Sequence, residues 1–350
     1  MADRKAPTHR PRYDLAMADT HNKPRLHCTF RKILTGSDLS RRRLPQMTLD
    51  SGRPGPTIWL TGCAHGDEVG GMVVIQEVFR RLRRVALLAG RVCAFPLMNP
   101  LGFEIGSRKV SMSGEDLNRS FPGSPGGSLA ERIAHLIFST IEESEPAAVL
   151  DLHNDWIRSI PYVLLDVPPA GASRKVTQTA KQLARETALP IVQEIASLPR
   201  SLSSTLLNRG IPALTLELSE SYWVNERQVE VGVGAVSRVI KRLGMVRDAM
   251  WQARDDEQAP AEAMGRVLRY TEGPRASTSG VIRFRVRAGE IVRSNQELAT
   301  VHNAFGRLLE RMRTTCDGLV LGISDSSVAY PGVPVMALGA FEEPPGAGGA

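Results

Sequence analysis

Two short segments carry the residues best suited to chemistry: His65-Gly66-Asp67-Glu68 and Asp151-Leu152-His153-Asn154. Each follows or ends an apolar run that reads as a buried strand, Thr57–Gly62 and Ala147–Leu152. In an open α/β sheet, groups just past the carboxyl ends of strands face the crevice where ligands bind. His65, Glu68 and His153 would deliver two imidazoles and a carboxylate to that crevice. Three such donors with one position left for water make the set of a catalytic zinc, and zinc suits this mix of neutral nitrogen and ionised oxygen best. Gly66 gives the turn room to bring His65 and Glu68 onto one ion. Asp67 points elsewhere by spacing. For it and for Asp151, a supporting role behind the ligands and a plain structural role both stay open.

The segment from Met98 to Ser128 is long and rich in Gly, Pro, Ser and Asn, and holds Asn99-Pro-Leu-Gly-Phe-Glu-Ile-Gly-Ser-Arg108 and Asp116-Leu-Asn118-Arg119-Ser-Phe-Pro-Gly123. Loops of this length inside a compact domain usually serve function. Guanidinium forks bind carboxylates bidentately and an asparagine adds a neutral donor, so Arg108, Asn118 and Arg119 beside a metal site point to an anionic pocket. A third feature is Glu217 inside the apolar Leu214-Thr-Leu-Glu-Leu218. A carboxylate in mid-strand is costly unless paired or put to use. Next to an activated water it could act as general base and then as proton donor to a leaving amine. Side-chain alternation puts Thr215 and Glu217 on one face and Leu216 and Leu218 on the other. Glu220 competes for the role but is placed beyond the strand.

The elements that must position these groups alternate. Val69–Arg84 has a helical apolar period, Arg91–Pro96 reads as a strand, and Ser128-Leu-Ala-Glu131 is a capping box opening a helix. Tyr162–Asp166 and Ile211–Leu218 read as strands; Ser173–Ala188, Ser201–Arg209 and Asn225–Leu243 read as helices. Such alternation predicts an α/β fold, a mixed, mostly parallel sheet flanked by helices. Beyond Ala249–Gly265 the helical period vanishes and short glycine-punctuated β runs predict a small barrel-like domain. The expected organisation is a flexible basic arm over 1–30, a hydrolase domain over 31–248, a linker over 249–265, a β-rich domain over 266–341 and a disordered tail over 342–350.

Composition narrows the class. The 350 residues are 42% hydrophobic and 23% charged, ample for a sizeable core. No apolar run approaches the ~20 residues of a membrane span, and Met1–Arg25 lacks the apolar stretch of a secretory signal. Four scattered cysteines fit thiols in a reducing cytoplasm rather than a disulfide framework. The net charge of +7 is diffuse, and with 5% aromatic residues nothing interleaves the arginines to stack bases. Nucleic acid and membrane are therefore not expected as partners. The pattern leaves self-association into a homo-oligomer open.

Taken in order, HGDE, NPLGFEIGSR, DLNRSFPG, DLHN and LTLEL resemble the succinylglutamate desuccinylase/aspartoacylase family of zinc carboxypeptidase-like deacylases, over about Thr57 to Met245. The resemblance implies one zinc on His65, Glu68 and His153, and Arg108 polarising the scissile carbonyl. It also implies Asn118 and Arg119 on a substrate carboxylate, and Glu217 as base and acid. The implied activity is removal of an acyl group from a small N-acyl amino acid, such as an acetylated diamino acid, by metal-activated water. A metallocarboxypeptidase acting on short peptides is the alternative. Where many relatives follow the catalytic glutamate with glycines, this chain has Ser219-Glu-Ser-Tyr222-Trp223, which alters the pocket rim. The C-terminal part is similar to biotinyl/lipoyl carrier domains, yet from Gly265 onward it has no lysine to carry a group. It is expected instead to shape or cover the site entrance, or to mediate assembly.

Overall fold

The computed structural model describes residues 24–35, 39, 41–168, 172–247 and 259–341. Residues 1–23 of the expected arm, 248 at the end of the expected hydrolase domain, 249–258 of the linker and the tail 342–350 lie outside the described residues.

The main sheet runs in the order β1 (Arg25–Thr35), β2 (Arg41–Asp50), β4 (Arg91–Phe95), β3 (Thr57–Gly62), β5 (Ala148–Asp155) and β9 (Ala213–Glu220). It continues through β7 (Pro161–Leu165), β8 (Ile191–Gln193), β10 (Val267–Glu272), β17 (Met336–Ala340), β15 (Gly318–Ile323) and β12 (Ile291–Val292), with β6 (Arg158–Ser159) paired to β15. Two parallel blocks form its middle, β4-β3-β5-β9 and β7-β8-β10, and they meet at an antiparallel seam between β9 and β7. Parallel strands need cover on both faces, and β3 and β5 are buried almost throughout.

Six helices accompany the sheet: α1 (Gly70–Leu82), α2 (Pro100–Phe103), α3 (Leu129–Glu142), α4 (Arg174–Glu186), α5 (Leu202–Asn208) and α6 (Glu226–Arg242). α1 and α6 lie over the face carrying Leu152 and Leu218: a Cβ on Gly71 would meet Leu152 and one on Gly232 would meet Leu218. α5 lies over the opposite face, where Ser203 accepts the Thr215 hydroxyl at 3.3 Å. The capping box of α3 forms as expected, Ser128 accepting the Glu131 amide and Glu131 accepting that of Ser128. Between the layers Trp59 stacks on Phe95 at 5.0 Å, and each fully buried side chain of this size contributes roughly 1.5–3 kcal/mol.

The structure corrects three boundaries. Residues 25–30, assigned to the flexible arm, are in β1, an exposed edge strand whose Leu26 and Ile33 pack on the core. Its basic, polar face hides the alternation a strand would otherwise show, and such charge suits an edge. The Met98–Ser128 loop contains α2 and a 3-10 turn at Leu117–Arg119. Glu220 is the last residue of β9 rather than beyond it.

The C-terminal strands do not stand apart. β10 pairs in parallel with β8, so β10, β17, β15 and β12 extend the main sheet. The other four, β14 (Leu308–Arg313), β13 (Glu297–His302), β11 (Gly280–Phe284) and β16 (Val328–Ala329), form a separate antiparallel sheet. Val320 and Leu338 of the first share one core with Ile282, Val301 and Met312 of the second, the closed packing expected of the β-rich module.

Candidate metal and substrate site

β3 ends in a tight turn, Cys63 taking a positive φ of 51°. Met98 and Asn99 then donate to the carbonyls of Gly62 and Cys63 and tie the next loop to the strand end. Gly66 must be glycine, because a Cβ there would come within 2.0 Å of the Gly102 backbone in α2. The turn presents His65 and Glu68, while the neighbouring parallel strand β5 presents His153. All three are buried, and one donor atom from each lies within 4.8 Å of the others. Nδ1 of His65 and Nδ1 of His153 stand 2.5 and 2.8 Å from the two oxygens of Glu68.

The far nitrogens of both rings face carboxylates. Nε2 of His65 is 3.1 Å from Asp116 and Nε2 of His153 is 3.0 Å from Asp151. Asp151 also accepts the Thr61 hydroxyl at 2.6 Å. A carboxylate behind each imidazole fixes its orientation and raises its basicity. The open question on Asp151 thus resolves toward support of His153. Asp67, by contrast, turns away and accepts the Tyr222 amide on its backbone oxygen. Asn154 ties the loops together: its amide N–H donates to Glu68 at 3.1 Å, its side-chain oxygen accepts Gly70 N–H, and its NH2 donates to carbonyls at the end of β9.

The electrostatics follow from this crowding. Burial alone would push Glu68 up, but the two imidazoles override it and hold the carboxyl well below the usual range. Burial would lower His153, yet Asp151 and Glu68 raise it well above an ordinary histidine. Glu217 stands beside His153 in the β5–β9 register. Burial, then the nearby Asp155 and Glu68, raise its carboxyl well above normal against the pull of His153 and Arg108, and its Oε2 has no hydrogen-bond partner. Two imidazole nitrogens and a carboxylate with carboxylates behind them, next to an orphaned carboxylate oxygen, form a donor set suited to a divalent cation. These residues fit a zinc ion.

Arg108 lies against Asp116, its Nε 3.2 Å from one oxygen, and its Nη1 comes within 3.6 Å of Glu68. Asn118 spends its side-chain oxygen on the Leu202 amide at 2.9 Å and keeps its NH2 3.4 Å from His153. Arg119 donates to the Asn118 carbonyl at 2.7 Å. His65, Glu68, Arg108, Asn118, Arg119, His153 and Glu217, the seven residues picked out from the sequence, all line one cavity of about 350 Å³. Glu220 faces elsewhere, accepting from Asn225 at 2.8 Å. Tyr222 and Trp223 do not line the cavity and are 56% and 70% exposed, Trp223 bordering a separate small hollow with Val74 and Leu218.

Sequence reasoning missed the floor and far wall of this cavity, which include Tyr162, Asp166, Glu194, Tyr270 and Glu272. Tyr162, Leu164 and Asp166 share one face of β7 by alternation, the face that meets Glu217 and Thr215 across the seam. Nothing local marks Tyr270 and Glu272, which arrive through the pairing of β10 with β8.

The fold is similar to that of the carboxypeptidase-like proteins. A metallo-carboxypeptidase from Burkholderia cenocepacia shares the architecture at a TM-score of 0.52 and 17% identity, over 62% of this chain and 65% of that one. The model of the succinylglutamate desuccinylase/aspartoacylase catalytic domain matches residues 54–243, and the chain belongs to that family. It is 29% identical over 259 residues, 71% of each chain, to the N-alpha-acetyl-L-2,4-diaminobutyric acid deacetylase of Halomonas elongata. The family protein from Rhodobacter sphaeroides superposes with a TM-score of 0.74 at 22% identity, covering 91% of this chain and 96% of that one. The product-bound ectoine utilization protein EutE (DoeB) of Ruegeria pomeroyi does so at 0.75 and 20%, covering 91% and 99%.

Proposed function

We propose that this protein is a zinc-dependent amidohydrolase that removes the acyl group from a small N-acyl amino acid, with an Nα-acetylated diamino acid as the leading substrate class. The observation carrying this reading is the single cavity in which the His65–Glu68–His153 donors, the cations Arg108 and Arg119, and the unpartnered Glu217 oxygen face one another. The relative from Halomonas elongata supports the substrate class.

His65, Glu68 and His153 would hold the ion, with Asp116 and Asp151 orienting the two rings. When bound, zinc supplies Lewis acidity toward the acyl carbonyl and lowers the pKa of a water at the site. Glu217 would take a proton on Oε2 and return it to the leaving amine, a role that a carboxyl raised by burial suits. Arg108 would donate to the acyl oxygen as charge develops there. Asn118, through its NH2, and Arg119, through its fork, would hold the substrate carboxylate. The products are a free carboxylate and an amino acid.

The cavity's size favours this over a peptidase. About 350 Å³ sits at the small end of ligand sites, and Tyr270 and Glu272 of β10 form part of its wall. The test is hydrolysis of N-acetyl amino acids and of dipeptides by zinc-loaded and by chelated protein. Turnover of the acetylated compounds, lost on chelation and restored by zinc, is expected. Preference for dipeptides, or full activity at verified zero metal, overturns the reading.

A further inference from the structure

The cavity has a second pole. The pairings Leu165↔Gln193 and Gln193↔Arg269 put the next positions, Asp166, Glu194 and Tyr270, in a row where β7 and β8 end and β10 runs on to Glu272. All four line the cavity that also holds the donor triad. Asp166 is only 9% exposed. Its carboxyl meets the Ser203 hydroxyl, and burial with the nearby Asp151 and Glu194 raises it to about 6. Glu194, half-buried and also raised, accepts the Ile195 amide at 3.1 Å. Among the described residues neither forms an ion pair, whereas Glu272 at the rim pairs with Arg275 at 2.9 Å. Arg119 acts on Asp166 and Glu194 through its charge but contacts neither. A carboxylate withdrawn from water without a contact ion pair is costly, and here two of them look into a space sized for a small molecule. Arg108 and Arg119 line the same cavity, so its charge suits a ligand carrying both a carboxylate and a cation.

We propose that Asp166 and Glu194, with Glu272 at the mouth, form a subsite for a primary ammonium on the substrate's side chain. The cavity then selects N-acyl diamino acids over neutral and acidic N-acyl amino acids. This assignment rests on the deacylase reading above for the position of the acyl end. A charge-assisted hydrogen bond from the ammonium to either carboxylate would supply the contact ion pair that Arg119 does not make with them.

The test compares kcat/KM for Nα-acetyl-2,4-diaminobutyrate, Nα-acetyl-2-aminobutyrate and N-acetylaspartate in the zinc-loaded enzyme and in Asp166→Asn, Glu194→Gln and Glu272→Gln. The wild type is expected to prefer the cationic over the neutral substrate by about tenfold or more, and to be slowest on the acidic one. That ratio should fall toward one in Asp166→Asn and Glu194→Gln and move less in Glu272→Gln; Glu194→Gln serves if the buried Asp166 variant does not fold. A wild-type ratio near one, or a ratio that neither of the first two variants moves, overturns the subsite. If no N-acyl compound turns over, the deacylase reading fails. Calorimetric binding of 2,4-diaminobutyrate against 2-aminobutyrate then decides the subsite alone. A diamino preference lost in the variants sustains it, and equal or absent binding overturns it.

Discussion

Glu217 keeps one carboxylate oxygen buried and unbonded beside an imidazole, a poor arrangement for stability and a useful one for moving protons. Replacing it with Gln should lower kcat by about 10²–10⁴-fold while leaving one zinc per chain, as measured by elemental analysis; unchanged turnover would remove the proton-transfer role. Asp166 makes a matching prediction about pH. Its folded-state pKa of about 6 lies above the ordinary 3.8, so the unfolded chain releases this proton first. The resulting loss of stability develops as pH climbs between those values and is complete above the higher one. Asp166→Asn should therefore raise the free energy of unfolding at pH 7.5, measured by denaturant titration, by on the order of 1–3 kcal/mol, and by little or nothing near pH 4. An equal gain at both would show that the carboxylate is not held protonated. At this scale the seven residues that share the cavity were legible because residue type and spacing carry chemistry directly. Asp116 was not, since its contact with His65 depends on how a turn packs, and Asp166 looks like an ordinary strand-end residue until its neighbours are known.

Elements explain why these side chains meet. The turn after β3, the start of α1 and the end of β5 are joined through Asn154 and seated against α2 through Gly66. A Cβ on Gly66 would strike backbone that cannot yield as a side chain does. Gly66→Ala should therefore displace the turn and weaken zinc binding by about 10–100-fold, the range for disturbed ligand support. Competition with a chromophoric chelator measures this, and unaltered affinity would show that α2 gives way. The strands and helices with strong period, from β3 to α6, were readable from sequence within a few residues. β1 was hidden by its basic edge character, and β8 by having only three residues, too few to show any period.

For the whole molecule, the β-rich module was visible in the sequence but its attachment was not. Its similarity to carrier domains pointed outward, to a separate body, whereas β10 completes the main sheet and a third core joins Tyr162 and Val192 to Leu268, Leu319 and Leu321. Ending the chain at residue 247 would leave β8 as an unpaired edge and expose that core. Such a fragment should self-associate on size exclusion, as uncovered apolar patches do. A monomeric, fully folded fragment would mean that the two parts are energetically independent.

Because Tyr270 and Glu272 ride on β10, the seating of that strand on β8 acts as a ruler. Sliding it by two residues would keep its side chains on the same faces and carry both groups about 6.6 Å along the cavity. Length selectivity among diamino compounds would then be tuned by small insertions or deletions far along the chain from the hydrolytic groups, leaving bond cleavage itself untouched.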